Sequence, residues 1–144
     1  MTPEHAAGLS LTSIHPEGYT PVPGRTTSSG VVVTGARSLT FLAGQVANEP
    51  GGNFVGRDDL DAQLRQIYRN IASLAIAAGT DMSGVVSLRA YLVAGADLDQ
   101  YRATKAELSR LYWPAGRYPT NTMLVVARLA EDEYLAEIEA VLAS

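Results

Sequence analysis

The most regular hydrophobic pattern lies in residues 59–78, where Leu60, Leu64, Ile67, Tyr68, Ile71, Leu74 and Ala78 recur at helical spacing. The spacing predicts an amphipathic helix. Asp58 or Asp59 offers an N-cap oxygen, and Gly79 suits the left-handed residue that ends such a helix. A second helix is predicted over 98–112, capped by Asp97, with Leu98, Tyr101, Leu108, Leu111 and Tyr112 as its buried stripe. Between them, 85–93 reads as a strand on Val85, Val86, Leu88, Tyr91, Leu92 and Val93. Upstream, the apolar runs 31–34 and 39–44 flank Gly35-Ala36-Arg37-Ser38, which reads as a β-hairpin. Downstream, 122–129 carries the run Met123-Leu124-Val125-Val126-Ala127, apolar on both faces, as expected of a central strand. The last segment alternates: Tyr134, Ala136, Ile138, Ala140 and Leu142 face one way, Leu135, Glu137, Glu139 and Val141 the other.

The resulting order is β-β-α-β-α-β-β, a single α+β domain with a mixed sheet and two helices on one face. Residues 1–30, with Pro16, Pro21 and Pro23, read as an extended arm; the domain is taken as 14–144, behind a flexible N-terminal arm at 1–13. Two helices cover one face of such a sheet. The other still carries apolar residues, which favours burial against further copies of the chain.

Composition narrows the chemistry. A chain of 144 residues with 47% hydrophobic and 18% charged residues is long enough to bury one core. It has no cysteine, which removes disulfides, thiolate catalysis and cysteine metal sites. His5 and His15 read as exposed tail residues, so no metal site is expected. Eleven basic residues are scattered among 15 acidic ones, for a net charge of −4, which disfavours a nucleic-acid partner. The segment 1–8 lacks a signal-peptide pattern and no apolar run is long enough to span a membrane, so a soluble cytoplasmic protein is expected.

Five short motifs resemble the Rid (YjgF) family. Ile14-His15-Pro16-Glu17-Gly18 is similar to its N-terminal NPEG start, and Gly44-Gln45 to the end of its SGQ strand, with Ala43 in place of Ser. Ala62-Gln63-Leu64-Arg65-Gln66 with Asn70-Ile71 resembles its first helix. Val126-Ala127-Arg128-Leu129 and Glu137-Ile138-Glu139-Ala140 resemble its last two strands. The resemblance implies a chorismate-mutase-like fold and a homotrimer with small-molecule clefts between subunits. It implies no cofactor.

In the family's deaminases, an Arg in a Pro-x-Arg-Ser/Thr motif forks onto a substrate carboxylate. A backbone amide two residues later faces the imine, and a Glu on the last strand handles water. Carried over, that motif is Pro119-Thr120-Asn121-Thr122, the amide is that of Met123 and the carboxylate is Glu137. Thr27 stands where the family often has Tyr, and Lys105 where it has Asn. Asn121 cannot form the fork, which is worth about 1.5–3 kcal/mol, or on the order of ten- to a hundredfold in affinity. Arginine-dependent 2-imino acid deamination is therefore not expected unless Arg117, Arg25 or Lys105 substitutes. Three functions stay open: hydrolysis or tautomerisation of an enamine, imine or related carbonyl compound; metabolite binding without catalysis; and, least favoured by the charge, a ribonuclease or translation-related role. Glu137 itself is either a cleft carboxylate or the polar face of an amphipathic strand. Tyr112, Trp113 and Tyr118 either wall the pocket or seal a helix end.

Overall fold

The structure, a computed structural model, describes residues 8–18 and 24–144; His5, Pro21 and Pro23 lie outside the described residues. The strands are β1 (Ser10–Ile14), β2 (Gly30–Thr34), β3 (Leu39–Gln45), β4 (Val85–Val93), β5 (Thr120–Val126) and β6 (Ala136–Ala143). The helices are α1 (Leu60–Ala77) and α2 (Leu98–Tyr112), with a 3-10 turn at Met82–Gly84. A four-stranded sheet has the order β3-β6-β4-β5, with β4 and β5 parallel and the other pairs antiparallel. The α+β class, the mixed sheet and the two helices on one face are as expected from the sequence.

Three expectations need correction. The runs 31–34 and 39–44 do not form a hairpin: β2 pairs with β1 in a separate two-stranded ribbon, and β3 pairs with β6. The turn at 35–38 therefore carries the chain from one sheet to the other. Part of the segment read as an arm is this extra strand, β1. Second, β5 is an edge strand and not a central one, with Leu124 and Val125 exposed. Third, α2 buries Tyr101, Thr104, Lys105, Leu108 and Ser109, whereas Leu111 is 65% exposed. Hydropathy alone assigned Leu111 to the core and overlooked Lys105.

The core lies between the helices and one face of the sheet. β6 supplies Ala136, Ile138, Ala140 and Leu142, β4 supplies Leu88, Ala90 and Leu92, and α1 supplies Leu64, Ile67, Tyr68 and Ile71. Asp59 caps α1 by accepting from the Ala62 N–H at 3.0 Å. Gln63 is fully buried and joins α1 to the chain around it: it donates to the carbonyls of Gly56 and Glu133 and accepts from the Leu135 N–H, all at 2.9 Å. The helices run side by side, linked by Arg65 to Asp61 and Glu107. Trp113 donates to the Met82 carbonyl at 2.7 Å, and Tyr68 stacks on Tyr112, so these aromatics seal the ends of the helices.

The other sheet face is uncovered. Phe41 on β3 is 73% exposed, and it pairs in register with Val141 of β6. Arg89, Tyr91, Glu137 and Glu139 share that face by strand alternation.

Candidate functional site

Alternation along β5 sends the Asn121 and Met123 side chains to the helix side and Thr122 and Leu124 to the uncovered side. On α2, Tyr101 and Lys105 are four residues apart and share the face turned toward β5. Between them lies a cleft of about 490 Å³, lined chiefly by Arg25, Thr26, Tyr101, Lys105, Asn121 and Met123, with Arg102 at its rim.

Lys105 is the most unusual group in it. Only 9% exposed, it donates to the Thr26 carbonyl at 2.5 Å and to Thr26 Oγ1 at 3.1 Å. Burial, with a contribution from the nearby Arg25 charge, pushes its pKa down to about 8. Asn121 Nδ2 lies 3.4 Å from the Tyr101 hydroxyl, to which it donates. Burial raises the Tyr101 pKa, so the phenol stays neutral and its own proton is available to an acceptor in the cleft.

Backbone groups add to this. The Val126 carbonyl faces β4 and the residue after it, accepting from the Ala94 N–H at 2.8 Å. Residues of the opposite parity, Asn121 and Met123 among them, therefore turn their N–H groups toward the open edge. The same parity explains why the Pro119 carbonyl is met from outside the sheet, by the Ser28 N–H at 3.1 Å and by Thr27 Oγ1 at 3.2 Å. Thr27 thus fastens the loop to the sheet edge and does not line the cleft. Arg117 does not line it either: its guanidinium donates to the Ser83 carbonyl, and its Nη1 is buried without a partner.

Glu137 lies elsewhere. It projects from the uncovered face, beside a hollow of about 310 Å³ that it lines with Tyr91, Val126, Arg128, Leu129 and Glu139. Its neighbour Glu139 is committed to Arg89 at 2.7 Å and to the Tyr91 hydroxyl at 3.2 Å. Glu137 has no ion pair or hydrogen bond with the described residues. Its carboxylate occupies the space a side chain at Gly44 would take: a Cβ there would sit 1.9 Å from Glu137 Oε1. Gly44 is thus needed for the close approach of the carboxylate to β3.

The structure therefore gathers Asn121, Met123 and Lys105, together with Arg25, in one cleft. It puts Glu137 on the opposite face of the same sheet, and Thr27 and Arg117 in structural contacts. Tyr101 and Arg102 were missed from the sequence. The available signal was their place one turn or less from Lys105, obscured because Tyr101 counted as core. Among the described residues no group of three His, Asp or Glu is placed to hold a metal ion, and no helix is long and apolar enough to cross a membrane.

The family model described as Endoribonuclease L-PSP matches residues 25–144, nearly the whole domain. The chain belongs to this family. A RutC family protein of Pyrococcus horikoshii is 30% identical over 106 residues, 74% of this chain and 79% of its own. The crystal structure of the Rid family protein YyfB from Yersinia pestis superposes with a TM-score of 0.83 at 29% identity, covering 93% of this chain and 98% of that one. The structure of E. coli TdcF with bound serine matches with a TM-score of 0.62 at 26% identity, over 75% of this chain and 82% of that one. The chain is thus a Rid-like protein of the L-PSP family, and that membership supports a small-molecule-binding role.

Proposed function

We propose that this Rid-like protein is a homotrimer that binds a small carboxylate-bearing enamine, imine or related carbonyl metabolite in clefts between subunits and hydrolyses it. The observation that carries this reading is the division of the site. Asn121, Met123 and Lys105 lie on one face of the sheet and Glu137 on the other, so one chain cannot bring them onto one ligand. A second copy, laying its uncovered face with Glu137 and Gly44 against the β5 edge, completes the site and covers Phe41 and Leu124.

In the assembled cleft Lys105 and Arg25 hold the carboxylate as point charges, without the planar fork that Asn121 cannot make. The Met123 N–H and the Tyr101 hydroxyl polarise the reacting group. The partner copy's carboxylate at position 137 takes a proton from water as it attacks the imine carbon. The carboxyl at 137 returns that proton to the nitrogen of the resulting carbinolamine and takes the hydroxyl proton, which passes to the departing nitrogen as the carbon–nitrogen bond breaks, leaving a carbonyl product and ammonia. No cofactor enters this scheme.

The test is subunit complementation. Lys105→Met and Glu137→Gln, each inactive alone, are mixed, dissociated and reassociated, and 2-oxo acid release from enzymatically generated 2-imino acids is followed. Random reassortment leaves one intact site in four, so activity returns to about a quarter of wild type. No recovery from mixed trimers refutes a shared site. Thermal stabilisation by a 2-oxo acid in a wild-type protein without turnover supports the binding-module reading instead. A ribonuclease role is less favoured, because the chain is acidic and its 11 basic residues are scattered, three of them in this cleft.

A further inference from the structure

The charge in the cleft exceeds what a monocarboxylate requires. Arg25, Arg102 and Lys105 line it, and among its described lining residues no Asp or Glu does, in a chain whose net charge is −4; in the proposed assembly the partner copy's carboxylate at position 137 still leaves the cations in excess. Positive charge concentrated against the overall sign of a protein focuses its field on an anionic ligand. Lys105 is the buried cation of the cleft, and the exposed Arg25 is near enough for its charge to act on it. Arg102 sits three residues before Lys105 on the same side of α2, so their Cβ atoms are roughly 5–6 Å apart.

Among the described residues Arg102 pairs with Asp99, at 2.8 Å, with side chains 64% and 93% exposed. A pair this exposed is weak and readily exchanged for a ligand.

We infer that the cleft selects small dicarboxylates, one carboxylate at Lys105 and Arg25 and the second, four or five carbons away along the ligand, at Arg102. Two carboxylates suit these donors better than a phosphate. The cleft faces the middle of α2, at 101–106, and not its amino end, so there is no cradle of free helix N–H groups of the kind phosphates favour. The inference rests on the cleft being the ligand site, as proposed above.

Two five-carbon acids separate the possibilities. 2-Oxoglutarate and 2-oxopentanoate differ only in a terminal carboxylate against a methyl group. Titrated calorimetrically into the wild-type protein, 2-oxoglutarate is expected to bind about tenfold tighter or better. That advantage shrinks as ionic strength rises from about 0.05 to 0.3 M. Arg102→Gln, an exposed substitution, removes the advantage and leaves 2-oxopentanoate affinity within about twofold. Equal binding of the two acids, or a preference that survives Arg102→Gln, overturns the dicarboxylate inference. The cleft reading still stands in that case if Lys105→Met weakens both acids. Failure of both acids to bind overturns both readings, and failure of 2-oxoglutarate alone overturns the dicarboxylate inference.

Discussion

Replacing Lys105 by Met should flatten the alkaline part of the stability profile. The ordinary lysine pKa of 10.5 falls to about 8 in the folded chain, and a difference of this size corresponds to about 3 kcal/mol between the two protonation states. The sign follows from linkage. Below pH 8 Lys105 is charged in both folded and unfolded chains, and the folded state carries the whole burial penalty. Between pH 8 and 10.5 the folded state releases its proton first, so the unfolded state binds more protons and stability rises with pH.

From pH 7 to 9.5 this single group adds about 2 kcal/mol. Lys105→Met keeps the length and apolar stem but removes the titration. At pH 7 it relieves the buried charge and strands the two Thr26 acceptors, which costs about 1–3 kcal/mol, so the net change there is small. The measurement is urea unfolding at pH 7 and 9.5, at one protein concentration because assembly contributes to stability. Wild type should gain about 2 kcal/mol more than the variant over that interval. Equal gains would show that Lys105 is solvated, and the argument for a buried cation in the cleft would fall.

Three further outcomes are expected. Acid affinity should be greatest below pH 8 and decline above it as Lys105 deprotonates, with net proton uptake on binding near pH 8; calorimetry in buffers of different ionisation enthalpy reads the uptake, and its sign must be positive because a bound anion raises the lysine pKa. Gly44→Ala places a Cβ 1.9 Å from Glu137 Oε1 and 2.8 Å from its Cγ, so the whole side chain must swing away on the open face; stability should fall by about 1 kcal/mol, while turnover falls at least tenfold with little change in acid binding. Gln63→Leu strands two carbonyls and an N–H in the core and should cost about 3 kcal/mol in chemical unfolding, with no effect on acid affinity in the protein that remains folded.

Elements whose stripes face the core were legible in the sequence. The ends of α1 and β4 fall where periodicity placed them, because Asp59 caps one helix and the buried rows of Leu and Val leave little choice of register. Pairing partners were not legible. Gly35-Ala36-Arg37-Ser38 has turn chemistry, but a turn does not determine whether its flanking strands meet, and here β1 takes β2 while β6 takes β3. The apolar run in β5 read as central because strand composition does not distinguish burial under helices from exposure at an edge. Asn121, Met123 and Lys105 emerged through the family resemblance. Gly44 was noticed as part of a motif, but its contact with Glu137 depends on two strands, β3 and β6, that are almost a hundred residues apart in the chain.

On the family resemblance, Asn121 stands where the deaminase motif has Arg, while Lys105 supplies a cation to the same cleft. At 121 a guanidinium would project from the strand; at 105 an ammonium projects from the helix into the same cleft. A cation that the resemblance would place on β5 is here offered from α2, as a point charge in place of a planar fork. An ammonium imposes little directional preference, so it fixes where a carboxylate sits but not how its plane is turned. Orientation then falls to neutral donors: Asn121 bound to Tyr101, and the amide of Met123 on the strand edge. A second carboxylate at Arg102 supplies the other constraint, since two anchored ends fix a short chain that one point charge would leave free to pivot. The titrations separate the two contacts: Arg102→Gln reads the second carboxylate, and Lys105→Met reads the first. A fork fixes both the place and the plane of one carboxylate, whereas a point charge needs a second contact to hold a short ligand in one orientation.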